Sequence, residues 1–256
     1  GISLVTWSLS GSPAGSSQSP VEAVFIVDRS GSMSGKRIDC AREALLLFVG
    51  GLTAGSFFNI IGFGGSVDPL FDQSKPYGDD TLALARESIL GMSANLGNTN
   101  LLPALAVATA KGCAQEGIPR IIFVLTDGEV TDTATVLAFA RDNAGDFADS
   151  TGKRTRIFSL GVGQGASKSL VEGLARAGNG SCAFVADEAE IKPVVVGFMK
   201  RSMLGCSPAP AVRVGSDSGS LSDVVVHPKN HSLFWGECAV RSSLFGADGI
   251  KSVPQF

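Results

Sequence analysis

In this chain of 256 residues, the segment 28–35 has the side chains that indicate a chemical function most clearly. They read Asp-Arg-Ser-Gly-Ser-Met-Ser-Gly and directly follow the apolar run at 24–27. This order places the carboxylate of Asp28 and the hydroxyls of Ser30 and Ser32 on a glycine-rich turn at the end of a buried strand. Hard oxygen donors suit a small divalent cation such as Mg²⁺, which takes oxygen ligands in octahedral geometry. The turn therefore predicts the first part of a metal site.

Two later segments can supply the remaining oxygen ligands. Thr99 lies in the polar turn 96–100, and Asp127 follows the apolar strand pattern at 121–125. In an open parallel α/β sheet, the loops at the carboxyl ends of neighbouring strands converge, and ligands bind there. We therefore expect five residues to share one site: Asp28, Ser30, Ser32, Thr99 and Asp127.

Apolar periodicity predicts alternating strands and helices over residues 21–204. Strands are predicted at 22–27, 57–63, 120–126, 155–160 and 181–185. Helices are predicted at 36–51, 79–92, 101–115, 131–143, 168–177 and 188–203. The strand patterns are almost continuously apolar, as in a sheet that is covered on both faces. Strands that alternate with helices in this way predict an α/β fold with a doubly wound, mainly parallel sheet flanked by helices.

The two ends of the chain have a different pattern, with glycine, serine and proline between short runs of strand type. Short strands are predicted at 2–9, 211–214, 223–226 and 233–240. We expect the two chain ends to form a small antiparallel β layer beside the main domain. The predicted organisation has three parts: 1–20 as an N-terminal strand and linker, 21–204 as the main domain, and 205–256 as a β-rich segment.

The three polar segments, taken in order, resemble the metal-ion-dependent adhesion site of von Willebrand factor type A domains. The resemblance extends over residues 21–204 and implies the Rossmann-like fold of that family. It implies that Ser30, Ser32 and Thr99 ligate the ion directly or through water. It also implies that Asp28 and Asp127 bind the ion directly or hold its coordinating waters. The implied ion is Mg²⁺, with Mn²⁺ or Ca²⁺ as alternatives.

The layout of the chain also resembles one subset of that family, the inter-alpha-trypsin-inhibitor heavy chains and the vault-associated poly(ADP-ribose) polymerase. The sequence pieces that carry this likeness are 57–64, 126–132 and 158–165. In this subset the A domain follows a β-rich module and is itself followed by further strands. The resemblance therefore implies a similar arrangement around residues 21–204.

The charges of the five residues imply how such a site would work. Two carboxylates nearly neutralise a divalent ion, and hydroxyls add no charge. An ion with one open coordination position can therefore accept a carboxylate, and in related A domains an incoming Asp or Glu completes the octahedron. The resemblance implies an adhesion-like protein–protein interaction module rather than an enzyme. Its expected partner is a protein that offers an acidic side chain, within a larger assembly.

Two other functions stay open at this point. Asp28 lies where aspartyl-phosphate enzymes place their nucleophile, which would make the chain a Mg²⁺-dependent phosphotransferase or phosphohydrolase. Such chemistry would use Asp127 as a second acid and either Lys36 or Lys111 as the lysine. The other alternative is a structural scaffold with a vestigial metal site. A dinucleotide site at 161–166 is disfavoured because its glycines lack the Gly-x-Gly-x-x-Gly spacing, and a strand-to-helix turn is expected there.

Composition argues against several other classes of protein. Charged residues make up 18% of the chain and the net charge is −3, so no basic surface for nucleic acid is expected. No apolar run approaches the roughly 18 residues of a membrane span. The five cysteines form no Cys-x-x-Cys pair, which predicts reduced thiols in an intracellular, cytoplasmic protein, with secretion as the alternative. His227 and His231 flank Pro228 and are interpreted as loop residues rather than zinc ligands.

Overall fold

A computed structural model describes most of the predicted main domain. The described residues are 20–110, 114–115, 117–128, 130, 132–145, 155–186 and 188–203, with short segments at 206–207, 233–234, 244–246 and 249–251. Seven strands form the principal sheet. They are β1 (Glu22–Asp28), β2 (Phe57–Phe63), β3 (Val67–Pro69), β4 (Lys75–Pro76), β5 (Arg120–Thr126), β6 (Thr155–Val162) and β7 (Cys182–Val185).

The strands of the main domain alternate with helices, as the sequence predicts. The helices are α1 (Lys36–Gly50), α2 (Asp79–Leu90), α3 (Leu101–Thr109), α4 (Thr133–Asn143), α5 (Lys168–Ala177) and α6 (Glu188–Met203). Helix α1 buries Ile38, Ala41, Leu45 and Phe48 along one stripe, because these residues recur at helical spacing. A single 3₁₀ turn, Gly31–Met33, lies between β1 and α1.

The sheet has the strand order β3-β2-β1-β5-β6-β7, and β4 pairs with β2. Strands β2, β1, β5, β6 and β7 run parallel, whereas β3 and β4 run antiparallel to β2. The chain leaves β1 toward β2 on one side and later returns as β5 on the other side. The strand order therefore reverses at β1, and the loops after β1 and β5 border the crevice where doubly wound sheets bind ligands.

Apolar side chains cover both faces of the sheet, which confirms the predicted doubly wound α/β architecture. On one face, Phe25 and Phe123 pack with Phe48 of α1 and Phe198 of α6. On the other face, side chains of β1 and β5 pack against α3, α4 and α5. All seven residues of β1 and all seven of β5 are buried. This double burial explains why the strands read as continuous apolar runs.

Helix α3 is shorter than its pattern predicts. The expected helix reaches residue 115, but α3 ends at Thr109 and Ala114 lies outside it. The backbone N–H of Ala114 donates to Glu22 Oε2 at a distance of 3.1 Å, which ties this segment to the start of β1. A contact between residues 92 positions apart overrides the local helical preference, which is only a weak influence on structure.

The described parts of the C-terminal segment consist of short antiparallel pairs. Cys206–Ser207 pairs with Leu233–Phe234, and Leu244–Gly246 pairs with Gly249–Lys251. The strand predicted at 233–240 is thus observed at its first two residues, and the pairing of 244–246 with 249–251 was not predicted. The strands predicted at 2–9, 211–214 and 223–226 lie outside the described residues, and the three-part domain division stays a prediction.

Among the described helices, none combines the length and the apolar character needed to cross a membrane.

Candidate functional site

Asp28 ends β1 at the point where the strand order reverses, and its side chain is fully buried. One carboxylate oxygen, Oδ1, accepts a hydrogen bond from the backbone N–H of Ser30 at 2.9 Å. The other oxygen, Oδ2, accepts from the hydroxyl of Thr126 at 2.7 Å. Both oxygens are therefore held in place by neutral donors from two neighbouring strand ends.

The buried position of Asp28 makes its negative charge costly. Burial raises the pKa of the Asp28 carboxyl above its usual range, and the nearby charge of Asp127 raises it further. The hydrogen bonds from Ser30 and Thr126 oppose this rise in pKa but do not cancel it. A carboxylate in such surroundings is stabilised by a bound proton or by a nearby cation.

Ser30 and Ser32 lie beside Asp28 on the turn that leads into α1. Their hydroxyl oxygens are 3.0 Å apart, and Ser30 is almost completely buried while Ser32 is half-buried. The 3₁₀ turn that begins at Gly31 brings the two hydroxyls to the same side of the chain. The predicted grouping of Asp28, Ser30 and Ser32 is therefore present in the structure.

Asp127 follows β5 and is buried, with a side-chain exposure of 3%. Its Oδ2 atom accepts a hydrogen bond from Arg37 Nη1 at 3.0 Å. The following residue, Gly128, has a φ of 84°, in the left-handed region that glycine adopts without steric cost. Through Arg37, Asp127 is connected to the segment that follows β1.

Thr99 lies in a loop that packs directly on the residues after β1. Leu96 donates its N–H to the carbonyl of Arg29 at 2.9 Å, and Gly31 donates to the carbonyl of Gly97 at 3.0 Å. Thr99, two residues farther along, has a half-buried side chain. Backbone hydrogen bonds thus place the segment that carries Thr99 beside the turn that follows β1.

Two residues that contact the predicted ligands were missed by the sequence reasoning. Thr126 donates to Asp28 and accepts a hydrogen bond from Gly128 N at 2.9 Å, so it orients both loops. Arg37 contacts Asp127 and the carbonyl of Ser32, at 2.8 Å for the latter. The signals available were a hydroxyl directly before Asp127 and a basic residue close after the serines, neither of which is distinctive alone.

The side chain of Arg29 connects the loops around the candidate site by hydrogen bonds. Its Nη1 contacts Asp68 Oδ2 at 2.6 Å, its Nη2 contacts Asn95 Oδ1 at 2.8 Å, and its Nε donates to the carbonyl of Ser93 at 3.0 Å. The side chain is only 12% exposed. Arg29 thereby joins the end of β1 to β3 and to the segment that leads to Thr99.

The structure also shows where several other residues discussed in the sequence analysis lie. The glycine segment at 161–166 covers the last two residues of β6 and the expected turn that leads toward α5, with φ values of 90° at Gly163 and 101° at Gly165. Lys36 is exposed at the start of α1. Three residues weighed for other chemistry lie outside the described part of the chain: Lys111, His227 and His231.

The donor set at this edge of the sheet is rich in hydroxyl groups. Within the described residues, no three or more His, Cys, Asp or Glu side chains form a group that could hold a metal ion by themselves. A divalent ion would therefore rely on the carboxylates of Asp28 and Asp127 together with hydroxyl and water oxygens. Such a set fits a hard cation like Mg²⁺, which is commonly bound by one or two carboxylates and keeps several waters.

Comparison with known proteins identifies the family. A family model described as "von Willebrand factor type A domain" matches residues 21–184. The chain belongs to the von Willebrand factor type A domain family, which is known for metal-dependent protein interaction. Mouse von Willebrand factor A domain-containing protein 5A is 38% identical over 188 residues, or 70% of this chain. The chain spans only 23% of that relative's length.

Solved structures agree with the Rossmann-like fold of this family. A von Willebrand factor type A protein from Catenulispora acidiphila superimposes with a TM-score of 0.63 at 22% identity, covering 72% of this chain and 43% of its own. Proximal thread matrix protein 1 from the mussel byssus, described "with zinc occupied MIDAS motif", gives a TM-score of 0.60 at 16% identity. That match covers 76% of this chain and 50% of the mussel protein. At these identities the likeness concerns the fold alone.

Proposed function

We propose that this chain is a protein-interaction module that binds an acidic side chain of a protein partner through a divalent cation. The observation that carries the proposal is the buried carboxylate of Asp28, which is held by neutral donors and lies beside two hydroxyls 3.0 Å apart. A cation at this position would offset the cost of burying that charge. Mg²⁺ is the preferred candidate, with Mn²⁺ and Ca²⁺ as alternatives.

Five residues would hold the ion: Asp28, Ser30, Ser32, Thr99 and Asp127. A bound divalent ion would supply an electrophilic centre for a carboxylate of the partner. The chain's own part is to fix the oxygen donors, since Thr126 and the N–H of Ser30 orient Asp28 before any ligand arrives. Membership of the von Willebrand factor type A family and the mussel protein's described zinc-occupied motif support this assignment.

Metal titration by calorimetry tests the proposed site. The parent chain is expected to bind Mg²⁺ or Mn²⁺, and Asp28→Ala and Thr99→Ala should each weaken binding by about 10- to 100-fold or more, because even residues behind the ligands have effects of that size. Asp80→Ala removes an exposed carboxylate at the start of α2 and should bind like the parent. Parent-like binding by Asp28→Ala and Thr99→Ala would refute the site.

Affinity capture tests the interaction itself. The parent chain should retain a protein partner from a native extract in Mg²⁺, and both EDTA and the Asp28→Ala substitution should release it. Capture that survives EDTA and Asp28→Ala equally would support the scaffold alternative instead.

The enzyme alternative is disfavoured by the surroundings of Asp28. A carboxylate that attacks phosphorus must be accessible, whereas Asp28 is fully buried and both of its oxygens accept hydrogen bonds. We therefore propose a binding role without turnover, in line with the family. Hydrolysis of phosphoesters in Mg²⁺ that is lost in Asp28→Asn would overturn this choice.

Two further parts of the proposal concern context. The likeness to the inter-alpha-trypsin-inhibitor heavy chains and the vault-associated polymerase, and with it a place in a larger assembly, stays a prediction from layout and short sequence pieces. Intracellular localisation stays a prediction from the cysteine pattern, with secretion as the alternative. Fractionation of cells that express the full-length protein would distinguish the two compartments.

A further inference from the structure

Arg37 brings a permanent positive charge to the candidate site. Its Nη1 atom donates to Asp127 Oδ2 at 3.0 Å and to the carbonyl of Ser32 at 2.8 Å. The arginine thereby joins the loop after β1 to the loop after β5.

The end of β6 is shaped to receive the stem of this arginine. Gly163 has a φ of 90°, and a Cβ atom added there would lie 2.9 Å from Arg37 Nε and 3.1 Å from Arg37 Cγ. Any side chain at position 163 would therefore displace the arginine. Three strand ends therefore surround Arg37. The segment after β1 carries Ser32, the segment after β5 carries Asp127, and Gly163 after β6 leaves room for the arginine side chain.

The partner of Arg37 is one of the two carboxylates in the candidate site. Asp127 is 97% buried, whereas the side chain of Arg37 is 36% exposed. The carboxylate therefore lies inside the fold, whereas about a third of the arginine side chain is open to solvent. A divalent ion that approaches Asp127 therefore meets a positive charge that is already in place, and like charges repel at this range.

We propose that Arg37 is a built-in competitor for the cation, which neutralises Asp127 and so lowers the affinity of the site for divalent ions. This inference rests on the proposed function. It makes the Arg37–Asp127 ion pair a device that sets the metal concentration at which the site becomes occupied. Occupation of the site then requires the arginine to give up Asp127.

Calorimetric and thermal-denaturation titrations with Mg²⁺ and Mn²⁺ test the proposal. Arg37→Gln and Arg37→Met should bind the ion about tenfold more tightly than the parent, since each removes a unit charge at hydrogen-bond distance from Asp127. Arg37→Lys keeps the charge and should remain within about threefold of the parent. Lys36→Gln, which removes an exposed charge one residue away, should also stay within about threefold.

A merely structural role for Arg37 predicts a different result. In that case Arg37→Gln would lower the melting temperature in EDTA and would also weaken metal binding, because Asp127 and Ser32 would lose their common support. Competition predicts instead that metal affinity rises even though the melting temperature in EDTA falls. Unchanged or weaker metal binding by both neutral variants would overturn the proposal.

The failure of this inference can be distinguished from failure of the proposed function. If Asp28→Ala binds metal more weakly than the parent but neither Arg37→Gln nor Arg37→Met binds it more tightly, only the proposal that Arg37 competes with the cation is wrong. If the parent binds no ion while Arg37→Gln does, the competition is supported in its strongest form. If neither the parent nor the neutral variants bind Mg²⁺ or Mn²⁺, both proposals fall.

Discussion

At the residue scale, the most deeply buried carboxylate of the candidate site is that of Asp28. Asp28 is fully buried. Its carboxylate accepts hydrogen bonds from the backbone N–H of Ser30 and from the hydroxyl of Thr126. Burial raises its pKa, so the folded protein holds a proton on Asp28 more tightly than the unfolded chain does. The contribution of Asp28 to stability is then fully present below the unfolded pKa, near 3.8, and is lost as pH rises through the folded value.

Asp28→Asn should therefore stabilise the protein at neutral pH in the presence of EDTA. The amide has the size of the carboxyl group but carries no charge, and the Thr126 hydroxyl can accept as well as donate a hydrogen bond. The advantage over the parent should grow as pH rises above about 4 and level off above the raised pKa of Asp28. Thermal denaturation across pH 4 to 8 measures this difference.

An exposed aspartate provides the matched control for this prediction. Asp80→Asn removes the same charge at the exposed start of α2 and should not gain stability with rising pH in the same way. A parent that is as stable as Asp28→Asn at neutral pH would show that the buried carboxylate is already compensated within the protein.

Sequence patterns predict the ligand candidates better than the residues that support them. Asp28, Ser30 and Ser32 are recognisable because their spacing within one turn is local. Thr126 and Arg37 act on residues 98 and 90 positions away, respectively, and that pairing depends on which strands become neighbours. No local pattern distinguishes such an arginine from one that simply faces solvent.

At the element scale, the site depends on how closely the loop before α3 approaches the ends of β1 and β2. Gly65 donates to the carbonyl of Leu96, and Asn100 donates to the carbonyl of Gly64 at 3.0 Å. A Cβ atom at Gly64 would lie 2.4 Å from Leu96 Cβ and 2.6 Å from its carbonyl oxygen. Glycine at position 64 is therefore required by space rather than by backbone angle.

Gly64→Ala should destabilise the protein by about 1–3 kcal/mol, the usual cost of forcing extra volume into a packed region. It should also weaken metal binding, because the displaced loop carries Thr99. Chemical denaturation and the metal titration described above measure the two effects.

Gly50→Ala is the matched control for that substitution. No atom lies within 4 Å of a Cβ added at Gly50, and alanine favours the helix by about 0.5–1 kcal/mol. This variant should be as stable as the parent or slightly more stable, with unchanged metal binding. Equal behaviour of the two alanine variants would contradict the role given to Gly64.

Local patterns predict most element bounds but not the contacts between loops. Strands β2 and β5 and helix α5 begin and end where the apolar pattern predicts. The end of α3 does not, because Ala114 is drawn to Glu22 at the start of β1. The approach of the Thr99 loop to Gly31 is likewise made by backbone groups, which leave no trace in the sequence.

At the scale of the whole molecule, a cluster of aromatic rings anchors the last helix to the sheet. Phe198 of α6 is fully buried, with ring centroids 5.6 Å from Phe158, 5.9 Å from Phe123 and 6.2 Å from Phe48. Its ring thus contacts two central strands and α1. The cluster lies on one face of the sheet and links elements from both ends of the domain.

Phe198→Ala should reduce the free energy of unfolding by about 3–5 kcal/mol, as expected for loss of a buried aromatic ring. Val196→Ala, on the same helix at 41% exposure, should change it by no more than about 0.5 kcal/mol. Urea denaturation compares the two variants. A small effect of Phe198→Ala would mean that α6 contributes little to the stability of the domain.

The reversal of strand order at β1 also determines when the site can form. The Thr126–Asp28 hydrogen bond joins residues 98 positions apart, so the first loop is synthesised long before its partner exists. Contacts between such distant residues are slow to form, because a long loop must close first. Asp28 remains an ordinary solvated acid until β5 pairs with β1. Tight binding of a ligand at this edge of the sheet would therefore report that β5 has paired with β1.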